Sequence, residues 1–252
     1  MRCDALSFDL DGTVIDYSVS SMRALEAIGG HRSVLPQWYE VSAGSEAALD
    51  RGLLSVEEFE HDRIRRFHEA CYGRHLSGSE LSDLVAVRRS TVLESVRLFP
   101  DAVRMLRSIE ALGIRCVAVS NSFAGLRDDI VDRLGLAKYF SYVQFCGDGA
   151  HRKPDGEAFS EGLRVLGLPA ARVVHIGDEF DADVMGARNA GLQGVHINRS
   201  GVVCSHAGVC VPSLDVPLER HADGFAVRFG PDSAAEESGP ARSPAGAASP
   251  TS

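Results

Sequence analysis

The sequence predicts an α/β fold: a doubly wound parallel sheet with helices on both faces and a block of helices inserted after its first strand. Three observations predict it. Short, β-branched apolar runs alternate with helical segments from about residue 97 to residue 197. A further short apolar run, Ala5-Leu6-Ser7-Phe8, stands alone near the N-terminus. Between them, from about 15 to 96, only helical periodicity is found. Strands alternating with helices imply a parallel sheet buried on both sides. A chain that leaves the sheet after one strand and returns some eighty residues later is compatible with a separate lid.

The elements follow in order. Ala5–Phe8 reads as a buried strand that ends at Asp9 and Asp11 and turns at Gly12. A helix capped by Ser20 or Ser21 carries Met22, Leu25 and Ile28 and stops at Gly29-Gly30. The stretch 31–50 is less regular, and its Trp38-Tyr39 pair reads as packing. Ser55 followed by Glu58 marks a capping box for a helix that ends near Gly73, with Phe59, Ile64 and Phe67 on its apolar face. A further helix runs from about Ser79 to Val96. Phe99-Pro100-Asp101 opens a helix that stops at Gly113. Strands are expected at 114–119, 142–145, 172–176 and 194–197, the last taken as the final parallel strand. Helices are expected at 123–134, 155–166 and 183–190, each followed by glycine. Val202-Val203 and Phe225-Ala226-Val227 read as short edge elements. The domain reading is therefore a core of 1–14 and 97–229, a helical insertion of 15–96, and a Pro-, Ala-, Gly- and Ser-rich disordered tail of 230–252.

Composition narrows the function classes. The chain has 252 residues, 44% of them hydrophobic, enough for a sizeable core. Its formal net charge of −9 argues against generic binding to nucleic acid or an anionic membrane. No apolar run is long enough to span a bilayer, and the N-terminus lacks the apolar core of a signal peptide, so a cytoplasmic protein is expected. The six cysteines include no CxxC pair and read as reduced thiols. Cys204, His206, Cys210 and His221 fit no common zinc spacing, and no zinc is expected from them.

The chemistry concentrates at strand ends. Alternate residues share a strand face, so Asp9 and Asp11 can enter one pocket. Two carboxylates roughly 4 Å apart repel by about 4 kcal/mol at an effective dielectric near 20, a cost that calls for a proton, a cation or both. Ser120 and Asp178 likewise follow predicted strands, and ligands of open parallel sheets bind outside the carboxyl ends of the strands. Only two of the 26 basic residues are lysines, Lys138 and Lys153. In a chain that otherwise uses arginine, Lys153 stands out.

Four motifs taken together, Asp9-Leu10-Asp11-Gly12-Thr13, Ser120-Asn121, Lys153-Pro154, and Gly177-Asp178 with Asp183, resemble those of the haloacid dehalogenase superfamily. The likeness covers residues 4 to about 200, and the helical insertion resembles that superfamily's α-helical cap on a Rossmann-like core. The resemblance implies a Mg2+-dependent phosphatase acting on a small phosphorylated metabolite through an aspartyl-phosphate. It makes Asp9 the nucleophile and Asp11 the general acid and base. Mg2+ would be held by Asp9, Asp178 and the backbone carbonyl of Asp11, with Asp183 supporting the metal site or Lys153. Ser120, Asn121 and Lys153 would bind the phosphoryl group.

Several alternatives are weaker. A β-phosphoglucomutase-like mutase carries a cap histidine where this chain has Ser21. A 2-haloacid dehalogenase lacks the second aspartate, and a phosphonate hydrolase needs a cap lysine, absent from 14–97. A non-catalytic binding protein on this fold is expected to have lost one of the motif residues. His151, Arg152, Arg65 and Arg66 read as solvated charges, and His175 as a packed core histidine. A monomer is the default expectation.

Overall fold

The structure is a computed structural model that describes residues 1–227 apart from 124, 149–150, 203, 205, 207 and 222–223. In chain order its strands are Arg2–Cys3 (β1), Ala5–Phe8 (β2), Ile15–Asp16 (β3), Arg97–Leu98 (β4), Arg115–Ser120 (β5), Tyr142–Phe145 (β6), Val173–Gly177 (β7), Gln193–Ile197 (β8), Val209–Val211 (β9), Leu218–His221 (β10) and Gly224–Val227 (β11). The α-helices are Ser18–Ala27 (α1), Leu35–Asp50 (α2), Val56–Tyr72 (α3), Gly78–Ser95 (α4), Pro100–Leu112 (α5), Leu126–Arg133 (α6), Ser160–Leu166 (α7) and Gly186–Asn189 (α8).

Six strands form the central sheet in the order β6-β5-β2-β7-β8-β9, every pairing parallel. Strands β5, β2 and β7 are buried on both faces, as a doubly covered sheet requires. Leu6 and Phe8 of β2, Cys116 and Ala118 of β5, and Val174 and Ile176 of β7 face one core, shared with Met105, Leu106 and Ile109 of α5. Ala5, Val117, Val119 and Val173 face the other, with Phe159 and Leu166. The register aligns Phe8 with Ala118 on one side and Ile176 on the other. The polar residues that follow these positions therefore emerge side by side.

Three features differ from the sequence reading. First, Val209–Val211 adds a parallel strand beyond β8, so the 194–197 strand is not the last of the sheet. Three residues are too few to show a period. Second, the stretch 15–96 is not wholly helical: Ile15 and Asp16 pair antiparallel with Leu98 and Arg97. The Arg97 guanidinium closes that pairing on Asp16, 2.8 Å away. Both chain crossings between the sheet and the helical block are thus tied together. Third, β10 and β11 form a separate antiparallel sheet with β1 rather than an edge of the main one. Smaller shifts occur in the helices. Ser20 does not cap α1; its hydroxyl donates to the Tyr17 carbonyl. The 155–166 helix begins as a 3₁₀ turn, Gly156–Phe159, and the 183–190 helix begins as a wide π-type turn, Phe180–Met185. Val203 and the 230–252 tail lie outside the described residues.

The helical block α1–α4 has an apolar centre of its own: Leu25, Ile28, Trp38, Ile64, Phe67 and Leu81. Ser55 and Ser77 cap α3 and α4 through reciprocal bonds with Glu58 and Glu80, which satisfy the free amides of each first turn. Trp38 is buried edge-on against Phe67, 5.5 Å between ring centres, whereas its neighbour Tyr39 is 59% exposed. Glu60 joins α3 to α4: its carboxylate meets Arg63 at 2.5 Å and Arg88 at 2.9 Å. Burial works to raise its pKa, but the charges of Arg63 and Arg88 outweigh it and hold the group down to about 2. Arg65 and Arg66, half exposed, both pair with the buried Asp62.

Trp38 is the only tryptophan of the chain, so its fluorescence reports on this block. Phe67→Ala is expected to destabilise the block by about 3–5 kcal/mol, seen as a lower denaturant midpoint of the Trp38 signal. A second expectation concerns pH. Because the folded-state pKa of Glu60 is depressed, its contribution is complete above its unfolded value near 4.5 and is lost as pH falls towards about 2. Since Glu60 retains partial exposure, that contribution is of order 2 kcal/mol. Acid titration of the Trp38 signal between those limits should show a loss in the native chain that is smaller in Glu60→Gln.

Candidate active site

The carboxyl ends of β2, β5 and β7 carry the polar cluster. Asp9 directly follows β2, Ser120 ends β5 and Asp178 directly follows β7. The Asp9 amide donates to the Ile176 carbonyl at 2.9 Å, which holds the loop after β2 against the neighbouring strand. Gly12 then turns the chain at φ +82°, and a Cβ there would stand 2.2 Å from the Asp178 carboxylate. Only glycine satisfies both the turn and this approach. Gly177 is under a similar constraint: a Cβ would lie 2.1 Å from the Asp183 carboxyl carbon.

Lys153 is the cation of the cluster, and its side chain is buried. Its Nζ donates to Asp9 Oδ1 at 2.9 Å and to Asp183 Oδ1 at 2.5 Å. Asp183 is held on all sides. Its Oδ2 accepts the Glu179 amide at 2.9 Å, and its Oδ1 also meets His175 Nε2 at 3.3 Å. His175 is fully buried, as a packed histidine should be, and Ser7 Oγ lies 2.8 Å from its Nδ1. Burial lowers the pKa of this imidazole despite the adjacent carboxylate. A neutral ring beside an acceptor-only carboxylate donates from Nε2 and accepts the Ser7 hydroxyl at Nδ1. His175 thus joins Ser7 on β2 to Asp183.

The cluster is short of positive charge. Oxygens of Asp9, Asp178 and Asp183 lie within 4.8 Å of one another. Burial pushes the Asp9 carboxyl well above its usual range; Lys153 pulls against that rise, and Asp183 and Asp178 add to it. Burial, Asp183 and Glu179 push Asp178 up to about 6, and its hydrogen bond from Thr13 is long, 3.3 Å. Burial also acts to raise Asp183, but bonds from His175 and Lys153 outweigh it and hold this carboxyl below the ordinary range. Lys153 is raised: burial opposes the charged form, and Asp9 and Asp183 more than compensate. One ammonium thus faces three carboxyls. This set of hard oxygen donors fits a divalent cation such as Mg2+.

Asp11 stands apart from this group. Its Oδ2 accepts from Ser122 Oγ at 2.8 Å and pairs with Arg127 at 2.9 Å, while its buried Oδ1 has no hydrogen-bond partner. The Asn121 side chain bridges the main chain of Lys153, its Oδ1 accepting from the Lys153 amide and its Nδ2 donating to the Lys153 carbonyl, both at 2.8 Å. Asn121 therefore sets the position of Lys153. Ser120 is buried and its Oγ accepts the Ser122 amide at 3.2 Å. The seven residues Asp9, Asp11, Ser120, Asn121, Lys153, Asp178 and Asp183 gather at the carboxyl edge of the sheet.

Three participants were not visible in the sequence. Arg127 comes from α6, and its guanidinium lies over the Tyr17 ring, 4.2 Å from the centroid, while pairing with Asp11. Ser122 supports the same carboxylate. Arg199, beyond β8, donates to the carbonyls of Gly12 and Thr13 and pairs with Asp101, bracing the turn after β2 from behind. No spacing rule announces such contacts, because each joins residues far apart in the chain.

A cavity of about 920 Å³ opens from the cluster towards the helical block. Asp9, Asp11, Ser120, Lys153 and Asp178 line its floor; Phe59, Glu60, Arg63 and Arg89 come from the helices. The two sides meet through Phe59 on Phe123, 5.4 Å between ring centres, and through the pairs Arg152–Asp50 and Arg89–Asp129. Arg152 is therefore paired across the cleft and not simply solvated.

Comparison with known proteins agrees with this architecture. The chain is 27% identical to the phosphoglycolate phosphatase of Caulobacter vibrioides over 202 residues, 77% of this chain and 78% of the relative. It is 25% identical to the glyceraldehyde 3-phosphate phosphatase of Methanothermobacter thermautotrophicus over 218 residues, 85% of this chain and 94% of the relative. Among solved structures, the HAD-hydrolase YfnB from Bacillus subtilis superposes with a TM-score of 0.70 at 20% identity, covering 85% of this chain and 96% of that one. At that identity the likeness speaks for the fold alone. The model of the haloacid dehalogenase-like hydrolases matches residues 3–191, three quarters of the sequence, a span that holds Asp9, Asp11, Ser120, Asn121, Lys153, Asp178 and Asp183. On that match, the chain belongs to the haloacid dehalogenase-like hydrolase family.

Proposed function

We propose that this hydrolase is a Mg2+-dependent phosphatase that cleaves a small phosphomonoester through an aspartyl-phosphate on Asp9. The observation that carries the proposal is the Lys153 ammonium held between Asp9 and Asp183, beside Asp178 and Ser120, at the floor of the cavity. The names of the relatives, phosphatases of phosphoglycolate and glyceraldehyde 3-phosphate, support a small phosphorylated metabolite as substrate.

Asp9, Asp178 and the Asp11 backbone carbonyl would hold Mg2+, which supplies charge neutralisation for a carboxylate approaching a phosphate dianion. Lys153 places a second positive charge at Asp9 and the incoming phosphoryl oxygens. The Ser120 hydroxyl, buried at the end of β5, would donate to one of those oxygens. Asp9 then attacks phosphorus and the ester oxygen leaves. Asp11 gives that oxygen its proton and afterwards takes one from the water that hydrolyses the acyl phosphate. Its side chain suits this exchange, being braced on Oδ2 by Ser122 and Arg127 with Oδ1 unengaged. Asp183, fully engaged by Lys153, His175 and the Glu179 amide, acts as the positioning residue for Lys153.

The domain reading belongs with this proposal. Residues 15–96 act as a cap that closes over the cavity, keeps bulk water out during the first transfer and lends Phe59 and Arg63 to the substrate's non-phosphate end. No helix among the described residues is long and apolar enough to cross a membrane.

Release of inorganic phosphate from a panel of small phosphate esters tests the reading. Activity should need Mg2+ and vanish on chelation. Asp9→Asn should fold and lose about 10³-fold or more of the turnover. Asp11→Asn should lose about 10²–10⁴-fold, the usual worth of a positioned acid–base group. A folded native chain that releases no phosphate from any ester with Mg2+ present would refute the assignment.

A further inference from the structure

A second cluster lies behind the Asp178 loop, outside the cavity. It consists of His196 on β8 with Cys204, His206 and Cys210 from the segment that leads into β9. One ligand-type atom from each residue falls within 4.8 Å of all the others. We propose that these four side chains, with both cysteines reduced, form a tetrahedral Cys2His2 site for a structural zinc ion.

The geometry carries the proposal. His196 Nδ1 stands 3.6 Å from Cys204 Sγ and 3.7 Å from Cys210 Sγ. A tetrahedron with Zn–S of about 2.3 Å and Zn–N of about 2.05 Å has a sulfur–nitrogen edge of about 3.6 Å. His206 Nε2 faces the same Nδ1 at 2.7 Å. The corresponding nitrogen–nitrogen edge is about 3.3 Å, so the two rings need to part by only about 0.6 Å. Their orientation also suits ligation. His196 Nε2 donates to the Asp178 carbonyl at 2.9 Å, which leaves Nδ1 unprotonated and aimed into the cluster. His206 stacks on Phe180, 3.7 Å between ring centres, and its buried Nδ1 has no hydrogen-bond partner. Asn198 Nδ2 approaches Cys204 Sγ at 3.5 Å, a contact that favours a thiolate.

From sequence, Cys204, His206, Cys210 and His221 fit no common zinc spacing, and the structure shows that His221 is not part of the group. That residue lies on β10 and approaches Glu219 instead. The missing ligand is His196, supplied by a strand eight residues upstream of Cys204, where no short motif would place it.

Cys204 and Cys210 are joined as a disulfide in the structure. Ligation needs the dithiol. A thiol reductant supplies two electrons by exchange: its thiolate attacks one sulfur, a second reductant thiolate resolves the mixed disulfide, and the reductant leaves oxidised. Zinc then displaces both thiol protons to solvent, and the reduced sulfurs can span the about 3.8 Å sulfur–sulfur edge. With four protein ligands the site is closed. It would pin the 198–210 segment to the sheet and, through His196, fix the carbonyl of Asp178. Soft thiolates separate this site from the all-oxygen cluster at Asp9.

The test uses the full chain, reduced with a phosphine, stripped of metal and titrated with Co2+ in excess Mg2+. The expected result is one Co2+ per chain with a sulfur-to-cobalt charge-transfer band and tetrahedral d–d bands, all displaced by Zn2+. Cys204→Ser combined with Cys210→Ser should lose the charge-transfer band, and Asp9→Asn should keep it, which separates this site from the proposed Mg2+ site. On the native chain, Zn2+ should block alkylation of Cys204 and Cys210, read by mass spectrometry, and leave Cys71 unaffected. No charge-transfer band in the reduced native chain, a band that survives the double substitution, or alkylation indifferent to Zn2+ would each overturn the proposal.

Discussion

The structure turns on one buried ammonium. Lys153 sits between Asp9 and Asp183 with almost no exposure, and the cost of dehydrating three ions is offset only because they meet one another. The surrounding fold serves that meeting. β2 delivers Asp9, the π-type turn after β7 delivers Asp183, and Asn121 at the end of β5 grips the main chain of Lys153 at both its amide and its carbonyl. His175, neutral and enclosed, adds a donor to Asp183 from within the sheet. Loss of Lys153 would leave two carboxyls in the interior without their cation.

The charge balance also explains why the site is suited to binding an anion with a cation. Burial first, and then three carboxyls sharing one ammonium, leave Asp9 and Asp178 raised. In the proposed reaction that deficit of positive charge is what a divalent ion relieves, and the ion in turn prepares the pocket for phosphate. Electrostatics of this kind is set up by the scaffold before any substrate arrives. The helices above contribute charges of both signs to the cavity, Glu46, Glu57 and Glu60 beside Arg63 and Arg89, so its roof is polar without being strongly basic.

Support for the loops comes from the far side of the sheet as well. Arg199 braces the turn at Gly12 and Thr13, and His196 holds the Asp178 carbonyl. His196 lies on β8 and Arg199 just beyond its end. β8 and the residues that follow it therefore steady two of the loops on which the cluster rests.

Local sequence was enough for the alternation of strands and helices, for most of the helices between residues 18 and 95, and for the seven polar residues that gather beyond the strand ends. Those signals are local: burial period, a capping box at Ser55, glycines that end helices, and a run of motif residues whose order matches a known family. Tertiary structure alone decided the rest. It paired Arg127 with Asp11, turned Asn121 towards the Lys153 backbone, added the short strand Val209–Val211, and brought His196 beside Cys204 and Cys210. The physical reason is the same in each case. A contact between residues far apart along the chain depends on how packed elements are oriented, and a two- or three-residue strand, or a single side chain, is too short to carry a period of its own.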